Sequence, residues 1–379
     1  MRTLAYLEKT FLENLREWKI LSLTLVFAPF FVFLMYAYFH AAPSSYTMLV
    51  RAADPGSARS LVDAWTRATH ADGSPVFRVI EVSDAADAER RVLNREADLL
   101  TEVPAGFAAA IEAMREGKAA VPPTITHRGS ASNPRSTVAM GFADYIAFQY
   151  AYEVTGAQPP IGVNAVMIGA AKQVTEFDLY VPALLVLALI MVMFTAAAAL
   201  VKEVDKGTMP RLLLSRLRLG ELLAAVSINQ VLVGVVALLL TYAAALSVGY
   251  HPQGSLAAVI VVGAVSTLSV VAVGLLTAAF LTTIFELLTV GCFPFFVLMF
   301  FSDCMVPLPK IPLFSVAGFT FNATDVLPTS LTVRAFNRIL NQGAGLADVG
   351  VELAVILLLT AAYFAAGAWL YRRRHMRVR

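Results

Sequence analysis

Residues 179–201, LYVPALLVLALIMVMFTAAAALV, decide the architecture: they contain no charged side chain. A helix needs about 20 apolar residues to cross a bilayer core, and this stretch supplies them. Ile20 to Phe39 forms a similar stretch far upstream, and four more follow closely downstream, at Leu222 to Val248, Leu256 to Leu281, Ile284 to Phe301 and Val351 to Tyr371. Hydrophobic residues make up 58% of the chain and charged ones 15%, with a mean hydropathy of +0.69, which is beyond the range of soluble globular chains. The pattern predicts an α-helical polytopic membrane protein of six transmembrane helices, with a small α/β domain inserted between the first and second.

Charge sets the orientation, because Lys and Arg in short loops stay cytoplasmic. Arg2, Lys9, Arg16 and Lys19 precede the first span, Lys202, Lys206, Arg211, Arg216 and Arg218 follow the second, and Arg372, Arg373, Arg374, Arg377 and Arg379 follow the last. The short loops on the other side hold only Lys310, Arg334 and Arg338. Both termini are therefore expected in the cytoplasm of a bacterial plasma (inner) membrane, with the insert extracytoplasmic. The apolar patch Ile311 to Phe321 is too short to span, and is expected to be re-entrant or interfacial. A net charge of +2 is accounted for by orientation signals and contact with membrane lipid, so no nucleic-acid partner is expected. The first span is longer than a signal-peptide core, and His40 spoils a small-residue cleavage site before Ala42, so it is expected to remain as an anchor.

The domain limits follow: an interfacial helix at 1–19, the first span at 20–40, the α/β domain at 41–177, spans two to six at 178–371, and a basic tail at 372–379. Within the insert, Tyr46 to Arg51, Val76 to Val82, Asp98 to Val103 and Pro123 to His127 read as strands. Helices are expected to start at Asp54-Pro55 and Ser83-Asp84 and to cover Phe107 to Met114, with a long one running from Ser136 to Lys172. No nucleophile motif, zinc-protease motif or paired carboxylate marks this insert as catalytic. Cys292 and Cys304 lie in or beside the fifth span, and the five histidines have no metal-ligand spacing, so neither disulfides nor a metal site is expected.

Two segments on the cytoplasmic side carry more information. Thr3 to Lys19 is amphipathic, with Leu4, Leu7, Phe11, Leu15 and Trp18 on one face, and should lie in the headgroup plane. The loop 202–221 contains Glu203, Lys206, Gly207 and Thr208, then Pro210, Arg211, Leu212, Leu213, Leu214, Ser215 and Arg216. Gly207 permits a reversal, Thr208 caps and Pro210 suits a first turn, so a short helix follows whose Leu and Arg surface suits a soluble partner.

In this order the segments resemble the permease subunit of a type 2 ABC exporter, over nearly the whole chain. The resemblance rests on the interfacial helix, the large domain after the first span, the Glu203-x-x-Lys206-Gly207-Thr208 turn, and the outside stretch Phe301-Ser302-Asp303-Cys304-Met305-Val306-Pro307-Leu308-Pro309. It also includes the short helix from Pro328-Thr329-Ser330-Leu331 to Asn341-Gln342-Gly343. The step Ala97-Asp98-Leu99-Leu100-Thr101-Glu102-Val103-Pro104-Ala105-Gly106-Phe107 is similar to one in the subgroup bearing an extracytoplasmic domain. The chain departs from the family pattern at Ser215-Arg216, where Ser-Pro is frequent, and at Ser302-Asp303, where Ser-Gly is frequent.

The resemblance implies a subunit that dimerises with a second copy or a homologous permease and couples to an ABC ATPase subunit through Glu203, Lys206, Gly207, Thr208, Arg211, Leu214 and Arg216. It also implies a re-entrant segment at 302–345 that includes Ser302, Asp303 and Pro307. ATP and Mg would sit on the partner ATPase, since no Gly-x-x-x-x-Gly-Lys-[Ser/Thr] phosphate loop occurs in this chain; the chain itself is expected to be no enzyme and to bind no cofactor. Glu286 and Asp303 lie near the span ends, and the polar residues inside the spans are few: Ser227, Asn229, Gln230, Ser266, Thr267 and Ser269. That lining suits a hydrophobic or amphiphilic substrate. The alternative reading is a membrane-anchored sensor or scaffold whose outside domain binds a partner.

Overall fold

The computed structural model describes residues 2–41, 45–70, 73–94, 96–118, 121–130, 133–156, 176–209, 218–305, 308–316 and 319–375. They form two compact units, Met1–Phe39 with Met167–Arg379, and His40–Val166. Helices α1 (Arg2–Arg16) and α2 (Trp18–Ala41) begin the first. The amphipathic helix thus ends before Lys19, and Trp18 opens the next helix, with Glu17 in the turn between them.

The second unit alternates β1 (Tyr46–Ala52), α3 (Pro55–Arg67), β2 (Phe77–Glu81), α4 (Ala85–Leu93), β3 (Leu99–Val103), α5 (Phe107–Arg115), β4 (Thr126–Arg128) and α6 (Pro134–Thr155). Strand order is β2-β1-β3-β4, parallel except for β4. The β1–β2 and β2–β3 crossovers run in opposite directions, so a constant hand places α3 and α4 on opposite faces of the sheet. Alternate residues then serve two cores: Met48 and Val50 pack with Leu61, Trp65 and Phe107, while Leu49 packs with Ala88 and Val92. Asp54 and Asp84 cap α3 and α4 through the Gly56 and Ala86 amides, as their sequence signatures predict. Helix α6 stops at Gly156, in a left-handed conformation; the rest of the helix expected to Lys172 lies outside the described residues.

His127 on β4 shares a 2.8 Å hydrogen bond with Thr101 through Nδ1 and has Asp144 Oδ1 3.3 Å from Nε2. Burial depresses its pKa, and the Asp144 charge opposes that shift only in part. A depressed folded pKa means that the unfolded chain binds more protons, so His127 contributes stability above the unfolded value of about 6.5 and loses it as pH falls through the folded value. Hydrogen exchange of β4, corrected for intrinsic rates, should accelerate from pH 7.5 to pH 5, and His127→Asn should flatten that dependence. The same slope in wild type and variant would refute the assignment.

The helical unit continues with α7 (Glu176–Asp205), α8 (Leu219–Ser247), α9 (Leu256–Ala278), α10 (Ile284–Thr289) and α11 (Cys292–Phe300). A hairpin of β5 (Pro312–Val316) and β6 (Phe319–Asn322), a 3-10 turn (Ala323–Val326), α12 (Pro328–Gln342) and α13 (Gly350–His375) complete it. Among the described residues five helices, α2, α7, α8, α9 and α13, are long and apolar enough to cross a membrane. Helix α7 is the buried axis, with 89% of its most apolar stretch covered, against 17% for α2 and α13. It is wrapped by α8, α9 and α12.

The expected fifth span differs from a single helix. It breaks at Val290-Gly291 because Pro294 has no N–H to offer the Val290 carbonyl, and its ring would crowd that oxygen in a continuous helix. From Ile284 to Phe300 the two pieces together reach about 25 Å, short of a core about 30 Å thick. The apolar patch Ile311 to Phe321 contributes the β5–β6 hairpin, with the Phe314 and Phe321 rings stacked at 5.0 Å.

Candidate functional site

The C-terminal end of α7 is closed by its own backbone. The Thr208 amide returns to the Glu203 carbonyl at 3.1 Å and the Gly207 amide to the Val204 carbonyl at 3.0 Å, with Gly207 at φ +64°. This is the Schellman arrangement, in which the left-handed residue suits glycine. Lys206 is exposed in the turn, and Met209 beyond it is buried in a cluster with Leu200, Val201 and Leu222.

The same Glu203 holds helix α1. Its carboxylate, on a residue only 5% exposed, accepts hydrogen bonds from the Tyr6 hydroxyl (3.1 Å) and the Lys9 ammonium (2.6 Å) on Oε1, and from the Thr208 hydroxyl on Oε2. Burial, and then the Glu203 charge, push the Tyr6 hydroxyl far above its ordinary pKa, so it stays a donor throughout the working pH range. A second ion pair joins Lys202 of α7 to Glu17 in the α1–α2 turn. Helix α1 therefore buries Tyr6 and Thr10 while Phe11, Leu15 and Trp18 stand exposed and Leu7 is half-buried. A helix held by its polar side, with apolar side chains facing outward, is built to lie on a bilayer.

Of the predicted residues, Glu203, Lys206, Gly207 and Thr208 come together at this turn, whereas Arg211, Leu214 and Arg216 lie outside the described residues. Tyr6, Lys9 and Glu17 join the site without a sequence signal, since Tyr6 and Glu203 are 197 positions apart. Other helix ends gather at the same end of the bundle: the Tyr371 hydroxyl donates to Leu200 O at 3.1 Å, a His375 ring nitrogen lies 3.2 Å from Ala279 O, and the Ile284 amide is 3.5 Å from Asp205. Glu286 caps α10, receiving the Thr282 amide at 2.6 Å.

At the other predicted segment, Ser302 is fully buried and paired with Thr329. Asp303 has φ +60°, alone among the described non-glycine residues in the left-handed region. It thus holds a conformation that suits glycine better than other residues, and it adds a cap: Oδ1 accepts the Leu308 amide at 2.9 Å and Oδ2 pairs with Lys310. Pro307 lies outside the described residues. Asp303→Ala should cost about 1–3 kcal/mol, from the left-handed backbone and the lost cap together, and Asp303→Gly less. Thermal unfolding of the purified chain checks this, and an alanine variant as stable as the glycine one would contradict it.

Several polar residues inside the spans make helix contacts, whereas both side-chain polar atoms of the buried Asn229 and Nε2 of Gln230 have no partner among the described residues. Thr195 donates to Gln230 at 2.7 Å, Thr332 to Ser266 at 2.8 Å, Thr267 to the Gly263 carbonyl at 2.7 Å, and Ser269 pairs with Thr360. Ser227 and Asn229 are also buried. Among the described residues no group of three or more His, Cys, Asp or Glu side chains is placed to hold a metal ion.

Apolar helices around a buried axis, with an amphipathic helix locked at one end, are the build of a multi-pass membrane protein. Over residues 18–369 the sequence matches the family described as ABC-2 family transporter protein, and the chain belongs to that family. It is thus a permease of the ABC transporter class, a type of membrane subunit that works with an ABC ATPase. No curated protein matches the chain.

Proposed function

We propose that this permease is the membrane subunit of an ATP-driven exporter that moves a hydrophobic or amphiphilic substrate outward. It works with a second permease copy or a homologue, and a cytoplasmic ABC ATPase docks on Glu203, Lys206, Gly207, Thr208, Arg211, Leu214 and Arg216. ATP and Mg belong to that ATPase. Both termini face the cytoplasm of a bacterial plasma membrane, and the α/β unit is extracytoplasmic. Helices α10 and α11 make the fifth of six crossings, followed by the extracytoplasmic re-entrant or interfacial segment 302–345; a crossing here is supported by α9 ending where α13 also ends, near Ala279 and His375.

The observation that carries the reading is the Glu203 carboxylate, which ties the Gly207–Thr208 turn to both α7 and α1. Motion imposed on the segment after the turn therefore reaches the buried axis and the bilayer-facing helix through one side chain. A Cβ at Gly207 would meet nothing within 4 Å, so the effect of a substitution there is conformational rather than steric. Gly207→Val should cost about 1–2 kcal/mol locally, leave the permease inserted and assembled, and separate ATP hydrolysis from transport; Gly207→Asn, which tolerates the left-handed region, should retain coupling. Normal substrate-stimulated hydrolysis and transport in Gly207→Val would remove the coupling assignment. Recovery from native membranes of an extracytoplasmic protein with no ATPase subunit would favour a sensor or scaffold instead.

A further inference from the structure

Arg334, which the charge pattern places in an outside loop, lies at span depth together with Asp325. The Tyr363 hydroxyl donates to Val326 O at 3.1 Å, and Tyr363 is thirteen residues into α13, about 20 Å along a helix of about 39 Å. Thr332 independently meets Ser266, near the middle of α9, while Arg338 pairs at 2.6 Å with Glu352, close to the start of α13. Helix α12 therefore climbs from the middle of the spans to their end, with Arg334 along its lower half.

The fully buried Asp325 is saturated: it accepts the Asn322 amide (2.9 Å), Asn322 Nδ2 (3.0 Å), the Ser330 hydroxyl (3.3 Å) and Arg334 Nη2 (2.6 Å). The Arg334 guanidinium stands 5.3 Å from the centre of the Phe319 ring, and its side chain is 26% exposed. That one bond to Asp325 uses a single N–H of five, and no other described residue accepts from the rest. At this depth, N–H groups without an acceptor are costly. A guanidinium fixed on one side by a carboxylate and on another by an aromatic face presents its open donors as a fork, the geometry that matches phosphate and carboxylate oxygens.

We propose that Arg334, positioned by Asp325 and Phe319, binds the anionic oxygens of an amphiphile's head group at mid-bilayer depth, which narrows the substrate class of the exporter reading on which the inference rests.

Binding is measured without the ATPase, so a negative result leaves the exporter reading to the Gly207 experiment. The full chain in dodecyl maltoside is titrated with dodecyl phosphate, dodecyltrimethylammonium and inorganic phosphate, and the shift in unfolding midpoint is recorded. Wild type should be stabilised saturably by dodecyl phosphate and not by the other two. Arg334→Gln should weaken that binding tenfold or more, Arg334→Lys should weaken it less, and Arg372→Gln, at the opposite end of the spans, should match wild type. Phe319→Leu, which keeps the ion pair, should still weaken binding severalfold, and it serves if Arg334→Gln fails to fold. Wild-type affinity in Arg334→Gln, or in both Arg334→Lys and Phe319→Leu, would overturn the proposal. So would equal stabilisation by inorganic phosphate or by the cationic amphiphile.

Discussion

Glu203→Ala is expected to release α1 and to destabilise the purified permease by about 2–4 kcal/mol. The carboxylate satisfies three side-chain donors, and removing one partner leaves the others to bear their desolvation. Lys9 is 40% exposed and recovers most of its hydration, so its share is small. Tyr6 is buried and Thr208 half-buried, and they account for most of the loss. Glu203→Gln keeps one acceptor oxygen and should fall between alanine and wild type. Hydrogen exchange over residues 2–16, read beside the unfolding midpoint, separates release of α1 from general loosening. Unchanged protection of α1 in Glu203→Ala would contradict the lock.

Gly254→Ala should be comparably severe, for a different reason. Gly254 lies between α8 and α9, where a Cβ would fall 2.2 Å from the Ile339 carbonyl oxygen and 2.7 Å from Ile339 Cγ2. The obstacle is backbone in the last turn of α12 and cannot rotate away, and the neighbouring Gln253 amide is bonded to Leu340 O at 2.8 Å. Overpacking costs about 1–3 kcal/mol on average, and a backbone clash belongs at or above the upper end. Gly220→Ala on α8 is the control, since its Cβ meets nothing within 4 Å and alanine favours a helix. Equal unfolding midpoints for the two variants would contradict the packing of this loop on α12.

The sequence was most readable where the signals are local. Asp54-Pro55 and Asp84 mark helix starts because the capping group and its amides lie two residues apart, and the strands of the α/β unit follow from short β-rich runs set between turn residues. The break after Thr289 was visible in Pro294, but a hydropathy window averages across one proline among phenylalanines. Arg334 reads as an outside-loop charge because it falls between apolar spans, and only tertiary packing tells a polar residue turned to water from one turned into a bundle. The α1 lock has no local trace at all. Lys9 and Glu203 are single charges in distant segments, and pairing them requires the whole bundle to have formed.

The exposed Phe11 and Leu15 of α1 and Trp18 at the start of α2, together with the lock of α1 on Glu203, give the bundle a fixed waterline. With α1 at the headgroup boundary, as proposed, α7 hangs from it and from the turn that follows through Glu203 and the Lys202–Glu17 pair, so the immersion depth of the central helix is set at one end only. A bilayer that thickens or thins must then be accommodated at the far end, where the half-length α12 and the hairpin before it stand in place of a full-length helix. The α1 end of this permease is moored, and the α12 end takes up the slack.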